Sequence, residues 1–121
     1  MAKSNEPFFW SLFSAGGVVS ALFIPAIIIS TGFLLPTSDP AEGAKRYEKV
    51  HSVVAYTLAG IPITKIVLLG VIFLAMFHAA HRIQHTSKDL GLRPIGGLIA
   101  AVSYLSALAG SIIAAVLLFR V

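Results

Sequence analysis

An all-α integral membrane protein of three transmembrane helices follows from three features of this sequence. Of its 121 residues, 57% are hydrophobic and only 12% charged, whereas a soluble domain carries about 25% charged residues to cover its surface. Mean hydropathy is +0.90. The few charges are also clustered: residues 7–38, 66–80 and 94–119 contain no Asp, Glu, Lys or Arg. Such long uncharged stretches suit a bilayer interior, where an unpaired ionised group is costly. The length predicts a single domain over residues 1–121.

The first span is expected over Ala15–Leu35. At about 1.5 Å per residue such a helix reaches about 31 Å, enough to cross the hydrocarbon core. Pro36 closes it, and Pro25 removes one ladder hydrogen bond and predicts a kink. Gly16–Ser20 and Gly17–Ala21 have the small-xxx-small spacing that lets a second helix approach closely. The run is too long for a signal-peptide core, and no small-residue cleavage pattern follows it closely, so it is expected to be a retained helix.

Residues 37–61 form a polar connection in which Glu42–Thr57 predicts a short interfacial helix, with Tyr47 and Tyr56 as amphipathic anchors. Pro62 suits a first helical turn and starts the second span, expected over Pro62–Gln84. Lys65 and Arg82 would snorkel to opposite interfaces. A turn containing Asp89, Gly91 and Pro94 leads to the third span, Gly97–Phe119. Its small residues form two stripes, Ser103/Ala107/Ser111/Ala115 and Ser106/Gly110/Ala114, suited to packing on protein.

Three spans place the termini on opposite sides, but the positive-inside rule does not orient them. Lys3, Arg82, Lys88 and Arg93 stand on one side, Lys45, Arg46, Lys49, Lys65 and Arg120 on the other. Topology still yields a deduction: the end of the second span returns to the surface where the first begins. Phe8-Phe9-Trp10 and Phe13 therefore share a membrane surface with His78, His81, Arg82 and His85. The three histidines, at i, i+3 and i+7, lie on one helix face.

His81 and His78 lie deeper than His85, where an ionisable group points to function. Arg82 and His85 are also suited to anchoring the helix end at phospholipid headgroups, and Trp10 to an interfacial aromatic belt. All five acids (Glu6, Asp39, Glu42, Glu48 and Asp89) fall outside the apolar spans, which argues against a self-contained proton or cation pathway. Repeated halves of the transporter kind are missing as well. The chain has no cysteine, so neither disulfides nor thiolate metal ligation arise within it, and no metal-binding quartet or nucleophile–base pair is evident. The basic loops suit lipid headgroups or a protein surface rather than nucleic acid.

Two motifs carry a family resemblance. Glu6-Pro7-Phe8-Phe9-Trp10-Ser11-Leu12-Phe13-Ser14-Ala15-Gly16-Gly17, followed by Ser20-Ala21, resembles the start of the D-type anchor subunits of fumarate reductase. His78-Ala-Ala-His81-Arg82-Ile-Gln-His85, followed by Lys88-Asp89-Leu90, resembles the end of that family's second span, and Ile63-Thr64-Lys65 is similar to its beginning. The resemblance extends over the whole chain in length and three-span layout, although the third span is generic.

The resemblance implies a non-catalytic anchor subunit of a quinol–fumarate reductase in the bacterial inner (cytoplasmic) membrane, with its N-terminus cytoplasmic. The implied partners are a second three-helix anchor (the C-type subunit), an iron–sulfur subunit and a flavoprotein, so that FAD and iron–sulfur clusters lie in the partners alone. It further implies a quinol site, of menaquinol type, shared with those subunits. There Trp10 would donate its indole N–H to a quinone carbonyl, Phe13 would line the ring, and His81 and Arg82 would border the pocket. His78, and Gln84 where relatives can carry histidine, depart from some members of the family. Two other readings stand beside this one. One is a haem b anchor of the succinate dehydrogenase kind, with His78 as an axial ligand; the expectation from the overall match is no haem. The other is a structural tether without a ligand site.

Overall fold

The computed structural model describes residues 6–121. Its helices are α1 (Glu6–Ile29), continued by a π-helical turn (Ser30–Leu34), then α2 (Pro40–Val54), α3 (Ile63–Asp89) and α4 (Gly96–Arg120), the last preceded by a 3₁₀ turn (Arg93–Ile95). Among the described residues there is no strand, only an isolated bridge between Leu58 and Ile61. Three helical segments, Trp10–Leu34, Ile63–Asp89 and Arg93–Arg120, are long and apolar enough to cross a membrane. Lys3, counted above among the charges of one surface, lies outside the described residues.

The helix boundaries differ instructively from those expected. The first helix begins at Glu6 rather than Ala15. Pro7 is preorganised for a first helical turn, and Ser11 turns its hydroxyl back onto the Phe8 carbonyl at 2.8 Å rather than breaking the helix. Trp10 and Phe13 therefore stand on a rigid helix. The helix continues through Pro25, and its irregularity falls later, where Leu35 N–H donates to Ser30 O at 2.8 Å, the i to i+5 pattern of a π turn. Thr31 Oγ1 donates to Ile27 O just before it.

The interfacial helix α2 starts at Pro40, two residues before the expected Glu42. Asp39 caps it, its carboxylate accepting from Ala41 N–H at 2.9 Å, and Pro40 occupies the first turn. It ends at Val54, short of Thr57. A tight turn follows, with reciprocal Leu58 and Ile61 backbone bonds of 2.9 Å and positive φ at both Ala59 and Gly60, the dihedral signature of a type I′ hairpin turn.

Helix α3 runs to Asp89, five residues beyond Gln84, and so holds His85 in helical register. It stops at Gly91, whose φ is +83°. Leu92 N–H donates to Ser87 O and Gly91 N–H to Lys88 O, the paired bonds of a Schellman cap. Helix α3 is the centre of the molecule: α4 packs on it most extensively and α1 next. Lys65 Nζ, near the start of α3, stands 5.9 Å from the Phe119 ring centroid at the end of α4, so these two helices run antiparallel.

Much of the small-residue stripes finds its partner inside the chain, although Ser106 is exposed. Ala107 and Ser111 are buried, and Gly110 faces Met76 of α3. Gly16 is buried against α3 so closely that an added Cβ would stand 2.7 Å from the Leu74 carbonyl oxygen. These faces close the α1–α3 and α3–α4 seams, while the large apolar residues outside them, such as Leu22, Phe33, Leu105 and Ile113, are exposed on the flanks.

Candidate functional site

Gly16 and Gly17 let α1 lie against the middle of α3, at Leu74 and His78. The His78 ring stacks on Phe13 with centroids 4.4 Å apart and planes 12° from parallel. Its Nδ1 lies 3.0 Å from the Phe13 carbonyl oxygen. A carbonyl only accepts, so Nδ1 carries the proton.

One helical turn further along α3, the His81 ring meets Phe13 at 4.6 Å and Trp10 at 6.3 Å. Trp10 and Phe13 themselves meet edge to face at 5.8 Å. Two helices distant in sequence thus bring an indole, a phenyl ring and two imidazoles into one cluster. The sharing of a membrane surface, deduced from three crossings, is realised as direct contact.

On its other side His81 reaches α4. Its Nδ1 lies 2.9 Å from the Tyr104 hydroxyl, and that hydroxyl donates to Gln84 Oε1 at 3.4 Å. The tautomer of His81 sets the direction of its bond to Tyr104: with Nδ1 protonated the hydroxyl accepts from it and Nε2 keeps the lone pair, and in the other tautomer the phenol donates to Nδ1. Tyr104 and Gln84 are residues that sequence reasoning did not place in the site. A phenol inside a charge-free span was the available signal, since a buried hydroxyl seeks a partner.

Leu12, Phe13, Phe77, His78, His81 and Tyr104 line a cavity of about 70 Å³. That volume suits a few water molecules, whereas sites for small organic ligands run to about 300 Å³ or more. His85 continues the imidazole row, 4.3 Å from His81, but is exposed. Arg82 is exposed too and, among the described residues, makes no hydrogen bond or ion pair. It lies one position round the helix from His81 and outside the aromatic cluster. No group of three or more metal-ligating side chains occurs among the described residues.

The family model for the D subunit of fumarate reductase matches residues 1–119. This chain belongs to the fumarate reductase D-subunit family. Relatives bearing that same description include one from Mycobacterium tuberculosis, 39% identical over 75% of this chain and 66% of the relative. Another, from Haemophilus influenzae, is 36% identical over 80% of this chain and 77% of its own. A third, from Vibrio cholerae, is 31% identical over 98% of this chain and 87% of its own. The match spans a little under two thirds of the mycobacterial relative's length. No solved structure matches the chain. Membership in a family of subunits agrees with a three-span chain whose apolar flanks are exposed.

Proposed function

We propose that this chain is the membrane-anchor subunit of a quinol–fumarate reductase, and that Trp10, Phe13, His81 and Arg82 form its share of the quinol site. The observation that supports the reading best is the meeting of Trp10 and Phe13 on α1 with His81 on α3 at one membrane surface. A quinol needs an apolar slot and a few donors and acceptors aimed at its two oxygens. The indole N–H, the Phe13 ring and, with its Nδ1–H given to Tyr104, the Nε2 of His81 are groups of those kinds.

In this reading the small cavity is one side of a site that a second, C-type anchor and an iron–sulfur subunit complete. A flavoprotein beyond them would reduce fumarate. The lack of cysteine in this chain accords with clusters held elsewhere, and FAD would likewise belong to a partner. The proposed location is the bacterial inner membrane, with the N-terminus and the site on the cytoplasmic side. Menaquinol is the proposed quinol.

Quinol oxidation releases two electrons and two protons, and this chain's part is to orient the ring and accept a proton. Trp10 holds one oxygen through its N–H, and Phe13 packs against the ring. His81 Nε2 takes a proton while Nδ1–H stays on Tyr104, so the imidazole keeps its orientation as its charge changes. Arg82 adds a fixed positive charge nearby, which favours anionic forms of the quinol as protons leave.

The proposal takes the haem-free form on the strength of the family resemblance, and gives His78 a packing role at the α1–α3 seam. Its Nδ1–H is held by Phe13 O, one ring face is covered by Phe13, and its edge lies against Gly17.

The test is Trp10→Leu, assayed with quinol and with an artificial dye as electron donor to fumarate. Loss of one donor in a dry site costs about 1–3 kcal/mol, or roughly ten- to a hundredfold. Quinol-linked turnover is expected to fall by that factor while dye-linked turnover holds. Equal loss of both would make Trp10 an assembly residue and remove the support for the site.

A further inference from the structure

At the membrane surface opposite the histidine cluster, α2 lies across the end of the first span and the start of α3. It encloses a groove of about 670 Å³. Leu35, Val50, Val54 and Leu68 give the groove an apolar wall, and Lys45, Arg46 and Lys49 line it with charge. Thr64, in the same lining, stands 17 residues before His81 on α3, about 25 Å along the helix. The groove is thus independent of the proposed quinol site.

The charges in this lining are uneven. Glu42 is the lone acid, and Arg46 Nε holds it at 3.1 Å. Arg46 Nη1 also donates to Leu34 O at 2.7 Å, satisfying a carbonyl freed where the first span ends. Lys45 and Lys49, one helical turn apart and exposed, have no ion pair among the described residues. Three cations against one acid leave a surplus of two positive charges over an apolar slot.

We propose that this groove binds an anionic glycerophospholipid, with its phosphate between Lys45 and Lys49 and an acyl chain along the Val50–Val54–Leu68 wall. The uncompensated charge selects the occupant. A phosphodiester with a neutral headgroup offsets one of the two surplus charges, whereas choline cancels that offset. A neutral quinone leaves both lysines uncompensated. The lipid locks α2 to the interface and to the first span, and so holds the long connection in place.

The experiment is native mass spectrometry of the assembly purified from membranes, titrated with phosphatidylglycerol or phosphatidylcholine of identical acyl chains. Each cation near a membrane surface favours an anionic lipid by about fivefold, so the pair predicts a preference of roughly 10- to 30-fold for phosphatidylglycerol. Lys45→Gln with Lys49→Gln should reduce this to about threefold or less without weakening phosphatidylcholine binding. Lys45→Arg with Lys49→Arg, and Lys88→Gln with Arg93→Gln at the opposite surface, should preserve it. Equal binding of the two lipids by the wild type overturns the proposal. So does a preference that survives the double glutamine change, or displacement of phosphatidylglycerol by equimolar menaquinone.

Discussion

His81 stands at the junction of all three spans, touching Phe13 of α1 and hydrogen-bonded to Tyr104 of α4. Replacing it by alanine removes the proposed proton acceptor, and quinol-linked turnover should fall at least ~10-fold, about 1.4 kcal/mol in the barrier. Arg82→Leu should act in the same direction and size if its charge borders the quinol. The exposed ring of His85 can be replaced by water, so His85→Ala should stay within about threefold, as for a surface change. Steady-state turnover on assemblies matched for flavin content ranks the three. A ranking with His85 first would move the site outward, toward the proposed iron–sulfur partner. Tyr104→Phe deletes a single hydroxyl and unseats His81 Nδ1–H. A slowing of about 3- to 10-fold is expected, the worth of one hydrogen bond, and an unchanged rate would mean that Tyr104 does not orient the imidazole. That Trp10 and Phe13 share a surface with His81 was legible in the sequence because crossing parity and helical periodicity are one-dimensional rules, while their choice as site residues came from the family resemblance. Tyr104 was not, because which face of a generic apolar helix meets a given histidine is settled only by packing.

At the scale of the helices, the glycines make different demands, and the contrast is measurable. A Cβ at Gly16 would meet a backbone oxygen of Leu74 at 2.7 Å and the His78 Cβ at 3.0 Å, neither able to yield without moving α3. A Cβ at Gly110 would meet the mobile end of the Met76 side chain, which can turn aside, and at Gly32 it would meet nothing within 4 Å. Gly16→Ala should therefore cost about 1–3 kcal/mol, the usual range for overpacking. Gly110→Ala should cost less, and Gly32→Ala should be neutral or slightly stabilising within a helix. The midpoint of heat inactivation of quinol-linked turnover reports the order, and a Gly32 variant as damaged as the Gly16 variant would refute it. Small-xxx-small spacing predicted close approach at Gly16 and Gly17, but spacing cannot say which helix approaches. Here it is α3 of the same chain, and much of the stripes on α4 is likewise occupied from within. The early start of α1 was illegible for a related reason: hydropathy marks where lipid begins, while a helix starts where backbone caps permit, here at Glu6-Pro7.

For the molecule as a whole, α2 and the histidine cluster belong to opposite membrane surfaces. With no cysteine in the chain, single introduced thiols can test this directly. Lys49→Cys and Lys88→Cys should react with a membrane-impermeant maleimide from opposite sides of sealed vesicles, and labelling of both from one side would exclude the three-span topology. If the N-terminus is cytoplasmic as proposed, Lys88→Cys reacts from the cytoplasmic face. The central position of α3 also bears on the order in which the chain assembles. The first span leaves the ribosome well before α3, and Gly16 and Gly17 have no partner until α3 arrives. The long connection through α2 then lets the first span wait in the lipid, whereas the tight Gly91 cap joins α3 to α4 as a hairpin. Docking of the first span onto α3 is the event that brings Trp10 and Phe13 to His81. A nascent chain thus cannot assemble its Trp10–Phe13–His81 cluster until the first and second spans have both entered the membrane, so the cluster itself reports that the long connection has been threaded.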